Sequence, residues 1–245
     1  MTFDYTPAGF PVRDDLREAH RFVWEHVASP GTWWTGRERV AIAAETRHAA
    51  RCALCRARKE AVSPNAVAGS HDTLGALAHG VVDVVHRIST DPGRLSRAWF
   101  AGVIDGGLEE TQYVELVSIV SLVAGIDAFV TALGLAVPAL PEPLAGEPSG
   151  YRPASAKPGN AWVPTVAAED ATGAEGDLYG GAAFVPNIMR ALSVVPDEAR
   201  ALQKSVSALY IPVEQIGDPT VRRSLDRMQM ELVASRVSAM NECFY

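Results

Sequence analysis

Between Thr111 and Gly134 the chain carries only two charges, Glu115 and Asp127, and places Val114, Val117, Val120, Leu122 and Phe129 at helical spacing. A helix that is apolar around most of its circumference must be covered by other elements. The uncharged run inside it, Leu116 to Ile126, has 11 residues. Crossing a bilayer takes about 20, so the segment reads as a buried core helix that the rest of the chain must wrap.

The flanking sequence supplies helices to do so. Asp14 to Val27 opens with acidic residues and stops at Pro30-Gly31. Thr35-Gly36-Arg37-Glu38 opens a long second helix predicted to run from Glu38 to about Val62, where Ser63-Pro64-Asn65 ends it. Leu74 to Ser89 carries an apolar stripe of Leu74, Leu77, Val81, Val84 and Val85 and ends at Asp91-Pro92-Gly93. Pro92 to Ile104 is a further helix. Helical patterning returns at Pro186 to Leu192, Asp197 to about Tyr210, and from Thr220 onward. No segment alternates with period two between hairpin turns, so the fold class is all-α.

Composition divides the chain into three regions, 1–137, 138–176 and 177–245. The middle one holds seven of the sixteen prolines and has the character of a linker or an extended strap, with Trp162 as its anchor onto a helical body. A net charge of −7 argues against nucleic acid as a partner, and nothing points to a membrane. Met1 to Pro11 shows neither a basic start nor an apolar run, so the expected location is the cytoplasm. Three cysteines, an odd number, exclude a disulfide framework.

On one helix over Glu38–Val62, Glu45, His48, Cys52, Cys55 and Lys59 fall on a single stripe. Two thiols one turn apart can close a disulfide, with Glu45 or His48 taking the proton. Arg51, Arg56, Arg58 and Lys59 are expected to lower the thiol pKa values. Cys52, Cys55 and His48 are alternatively three ligands for zinc or iron. The third reading is a solvated face without chemistry, since a lone Cys-x-x-Cys is a weak signal. All six histidines, 20, 26, 48, 71, 79 and 86, lie in the first region. Of these, His48 and His71 are the two expected to serve a second site across the fold.

The end of the chain carries a more specific pattern. Glu231-Leu-Val, then Ser238-Ala-Met-Asn241, then Cys243 after eleven intervening residues, resembles the alkylhydroperoxidase D and carboxymuconolactone decarboxylase superfamily. The pattern of its peroxidase branch is Glu-x11-Cys-x-x-Cys-x3-His. Weaker similarity runs from Arg37 to Cys55, from Tyr113 to Gly134 and from Val185 to Cys243, as if two imperfect copies were joined by the proline-rich region. In the first copy Val40 stands where the family has glutamate, Lys59 where it has histidine, and no helix breaker precedes Cys52. The resemblance implies an all-α fold of two repeats and reduction of hydroperoxides with a thiol or dithiol reductant. It implies a homo-oligomer, Glu231 as proton shuttle and Cys243 as half of a redox pair, with selenocysteine expected directly after Tyr245. Beside Met228, Leu232, Val233 and Val237, Glu231 is expected to lie on a buried helix with a raised pKa, and Cys243 to open the next helix after a break at Asn241. A decarboxylase-like lyase is the second enzymatic reading, and a metal-binding or redox-sensing protein the non-enzymatic one.

Overall fold

A computed structural model describes residues 3–182, 185–241 and 243. Among them the chain is all-helical, and its sole β feature is an isolated antiparallel bridge between Lys157 and Thr165. The helices are α1 (Asp14–Ala28), α2 (Gly36–Ala49), α3 (Ala53–Glu60), α4 (His79–Thr90), α5 (Arg97–Asp105), α6 (Glu110–Ala132), α7 (Asn187–Arg190), α8 (Pro196–Leu209) and α9 (Arg227–Met240).

The apolar segment is the core helix α6. Leu116, Ile119, Leu122, Val123 and Ile126 are buried, and α2, α4 and α8 pack around it. At 23 residues α6 is long and apolar enough to span a bilayer by length and composition, and 56% of its most apolar stretch is buried inside the protein. The helix starts have local causes. Thr35 and Glu38 form a reciprocal capping box on α2, Glu109 and Gln112 do the same on α6, and the Ser96 side chain caps α5. α4 buries Val81, Val82, Val84 and Val85 on one face.

A buried ionic cluster fastens four helices. Arg39 of α2 is fully buried and donates to Glu115 of α6, to Glu198 of α8 at 2.8 Å and to the His26 carbonyl of α1 at 3.0 Å. His26 meets Glu198 at 2.8 Å. Burial raises the Glu115 carboxyl to about 7. Burial also pushes Glu198 upward, but His26 and Arg39 more than offset it and hold Glu198 well below the usual carboxylate range. Gly31 sits against this cluster, where an added Cβ would collide with the Glu115 carboxylate and the Arg39 guanidinium.

The proline-rich region lies along the helical body as an extended strap. Trp24 Nε1 donates to the Ala139 carbonyl at 2.9 Å and Arg47 to that of Pro138 at 2.8 Å. The amides of Leu144, Ser149 and Gly150 bond the carbonyls of Ala28, Gly31 and Thr32. Trp162 packs against Phe100 with ring centroids 5.7 Å apart, so it anchors the strap as expected. α8 joins the same core through Ala199 and Ala201.

Several boundaries differ from the sequence expectation. The helix over 74–89 begins only at His79, because the Thr73 hydroxyl and the Leu74 amide turn inward to bond Glu45 instead. Pro92–Arg94 is a single 3-10 turn before α5, and the last helix starts at Arg227, where Asp226 caps it.

Candidate functional site

The largest difference falls on the Cys-x-x-Cys segment. The single helix over Glu38–Val62 is interrupted: α2 ends at Ala49, the Arg51 and Cys52 amides close a tight turn on the His48 and Ala49 carbonyls, and α3 starts at Ala53. Cys52 therefore occupies the N-cap of α3 in extended backbone, and Cys55 lies in its first turn. The five-residue stripe does not exist as one helical face. The local sequence holds no Gly or Pro to break the helix, so the interruption is tertiary in origin. It turns both thiols inward, where Cys52 is fully buried and Cys55 is 3% exposed.

Two histidines meet the thiols there. His71, on the loop before α4, places Nδ1 3.6 Å from the Cys52 sulfur and 3.5 Å from that of Cys55. His86, on the buried face of α4, places Nδ1 3.2 Å from the Cys55 sulfur. The two rings lie 4.4 Å apart between centroids. Each ring is held from behind by a carboxylate. His86 Nε2 is 2.8 Å from Glu45 Oε1, and His71 Nε2 is 2.9 Å from Asp83 Oδ1. Glu45 is itself pinned by the Thr73 hydroxyl at 3.2 Å and the Leu74 amide at 3.1 Å, and Asp83 by Arg58 at 2.7 Å.

Electrostatics follow from this packing. Burial alone pushes the Cys55 thiol up, but hydrogen bonds from His71 and His86 outweigh it and bring the pKa down to about 6. Burial acts likewise on Cys52, and the Cys55 amide and His71 turn its net shift downward. Burial would lower His71, but Asp83 and the two thiols raise it to about 10. Arg51, Arg56 and Lys59 are exposed and are not among the leading causes of these shifts, whereas Arg58 acts through Asp83. The expected cause, a crowd of basic side chains, is replaced by two imidazoles.

The ligating atoms of Cys52, Cys55, His71 and His86 all lie within 4.8 Å of one another, a cluster suited to a metal ion. Zinc bonds of about 2.3 Å to sulfur and about 2.0 Å to nitrogen set a tetrahedral S···N edge near 3.5 Å. The three S···N distances of 3.2, 3.5 and 3.6 Å bracket that value. Carboxylates behind both imidazoles fix Nε2 as the protonated nitrogen and leave Nδ1 facing the sulfurs.

His48, expected as a ligand or base, stands outside this set and faces Asp72 at 3.5 Å. Glu45 belongs to the site as a partner of His86 rather than as a neighbour of the thiols. His71 serves this centre, not a distant one. Sequence reasoning does not reach His86 or Asp83. The available signal for His86 is a histidine directly following Val84-Val85 on an otherwise apolar helix face.

Glu231 and Cys243 lie elsewhere. α9 buries no residue, and Met228, Leu232, Val233 and Val237 are all at least half exposed. Glu231 pairs with Arg227 at 2.6 Å and accepts from the Tyr210 hydroxyl, and these bonds, led by that of Tyr210, lower its pKa. The expected buried carboxyl with a raised pKa is thus corrected: Glu231 is about half exposed, and the apolar side chains of the helix face outward beside it. α9 does break at Asn241, and Cys243 is exposed, but the helix expected to open there falls outside the described residues.

Compared with protein-family models, curated proteins and solved structures, the chain matches none.

Proposed function

We propose that Cys52 and Cys55 form a redox-active dithiol that reduces hydroperoxides, with Glu45 and His86 as its proton relay. The observation that supports this best is the unbroken line Glu45–His86–Cys55, with spacings of 2.8 and 3.2 Å. With Nε2–H held by Glu45, a protonated His86 donates from Nδ1 to the Cys55 thiolate and stabilises it. A cavity of about 260 Å³ opens onto Cys55 beside Arg56, Lys59 and Ser89, which makes Cys55 the attacking thiol. Its thiolate takes the terminal peroxide oxygen, the O–O bond breaks, and His86 protonates the departing alkoxide to an alcohol. Cys52 then attacks the sulfenic acid, forming the disulfide and releasing water. A dithiol reductant returns both thiols, in keeping with a reducing compartment.

Steady-state consumption of tert-butyl hydroperoxide with dithiothreitol tests it. Cys55→Ser should abolish turnover, and Glu45→Gln should lower it by about 10- to 100-fold through weakened proton transfer. Turnover unaffected by either substitution contradicts the proposal.

A specific observation favours a second reading. The relay needs one histidine, yet His71 is equally well backed by Asp83 and completes a four-ligand set. As a closed Cys2His2 site it would hold zinc in a structural role. One zinc per chain that is lost in His71→Ala, in a protein without peroxide turnover, would favour that reading. By the resemblance, Glu231 and Cys243 belong to a second copy of the motif, and the assembly is a homo-oligomer.

A further inference from the structure

Behind the thiol centre lies a larger cavity, of about 680 Å³, between α4 and α5. Its volume falls in the range of about 300–1,000 Å³ typical of small-molecule sites. Val81, Trp99, Val103 and Leu108 give it apolar walls, and Arg58, Asp83 and Arg87 its polar ones.

Arg87 is the anomaly. It is 2% exposed, and its Nε and Nη2 have no hydrogen-bond partner among the described residues. A buried, unpaired guanidinium is costly, and it does not discharge by losing its proton. The carboxylates nearest to it, Asp83 and Asp91, already pair with other arginines, although Asp91 Oδ2 makes no hydrogen bond of its own. Asp83 binds Arg58 at 2.7 Å and His71 at 2.9 Å, and Asp91 binds Arg94 at 2.8 Å. Three arginines thus face two aspartates, and the surplus charge sits on the arginine that lines the cavity.

We propose that this cavity binds a small organic carboxylate with an apolar body, its head group paired with Arg87 and its body against Trp99, Val103 and Leu108. Guanidinium–carboxylate pairing suits Arg87, which lines the cavity and whose Nε and Nη2 are buried without a partner. The wall residue Asp83 also holds His71, so the ligand lies one hydrogen-bonded residue from the thiol centre. The inference rests on the cavity and Arg87 and stands whether or not the thiols turn over peroxide.

Isothermal titration of the reduced protein with octanoate, octanamide and inorganic phosphate tests it. Octanoate should bind saturably, and both octanamide and phosphate at least tenfold more weakly. Arg87→Met should lose octanoate binding while its ligand-free Tm holds or rises, because an unpaired buried charge has been removed. Arg87→Lys should retain part of the affinity. Gly102→Phe gives a second handle: Gly102 lines the cavity in α5, and a Cβ there meets nothing within 4 Å. The added ring should block octanoate with Arg87 intact. Equal affinities for octanoate and octanamide, phosphate binding as tight as octanoate, or undiminished binding in Arg87→Met would overturn the proposal.

Discussion

At the residue scale the decisive group is the Cys55 sulfur, which two imidazoles reach at 3.2 and 3.5 Å. An ordinary thiol titrates near 8.5. Cys55, held near 6 against the cost of burial, should be largely thiolate at neutral pH. Alkylation of the reduced, metal-free protein by iodoacetamide should therefore inflect near pH 6. In His86→Asn, which removes one of the two donors, the inflection should move upward by about one unit or more. An inflection at 8 or above in the unmodified protein would contradict the geometry. The two thiols are legible in the sequence, and Glu45 is legible as a carboxylate that helps them. His86 and Asp83 are not, because no local spacing records that α4 docks beside α3. Only the fold brings residues 31 positions apart, such as Cys55 and His86, into hydrogen-bond range.

At the scale of elements, the turn between α2 and α3 creates the site, and the Arg39 cluster holds α2 in place for it. Gly31→Ala tests that cluster. The added methyl must displace the Glu115 or Arg39 side chain, so the variant should lose about 2–4 kcal/mol in denaturant unfolding, the range for disturbing a buried ion pair. A loss under about 0.5 kcal/mol would show that the cluster yields at little cost. The long elements α1 and α6 are readable from the sequence to within a residue or two, since acidic starts, capping residues and apolar periodicity act locally. The break at Ala50–Cys52 is not. Its residues are acceptable in a helix, and the gain that interrupts it is burial of Cys52 and Cys55 against His71 and His86. Apolar spacing likewise suggests a buried α9, where Met228 and Leu232 are instead exposed.

At the scale of the molecule, the core of α6 with α1, α2, α4 and α8 carries the stability, and one buried histidine gives that stability a pH dependence. His20 is fully buried, its Nδ1 lies 2.5 Å from the Tyr5 hydroxyl, and its ring packs against Phe3 and Phe129. Burial lowers its pKa from 6.5 to about 4. The folded state thus resists the proton that the unfolded chain accepts. Its contribution is complete above pH 6.5 and is lost as pH falls toward 4, a change on the order of 3 kcal/mol. His20→Gln, which keeps an acceptor for Tyr5, should flatten that part of the stability profile, and an unchanged slope would contradict the assignment.

The central claim, that Cys52 and Cys55 work as a redox pair, is tested most directly by mass. One equivalent of hydrogen peroxide added to the reduced protein should make the chain lighter by two hydrogen atoms, with Cys52 and Cys55 joined after digestion and Cys243 still free. Dithiothreitol should restore the original mass. A chain that keeps both thiols, or that gains oxygen without forming the Cys52–Cys55 bond, would contradict the account.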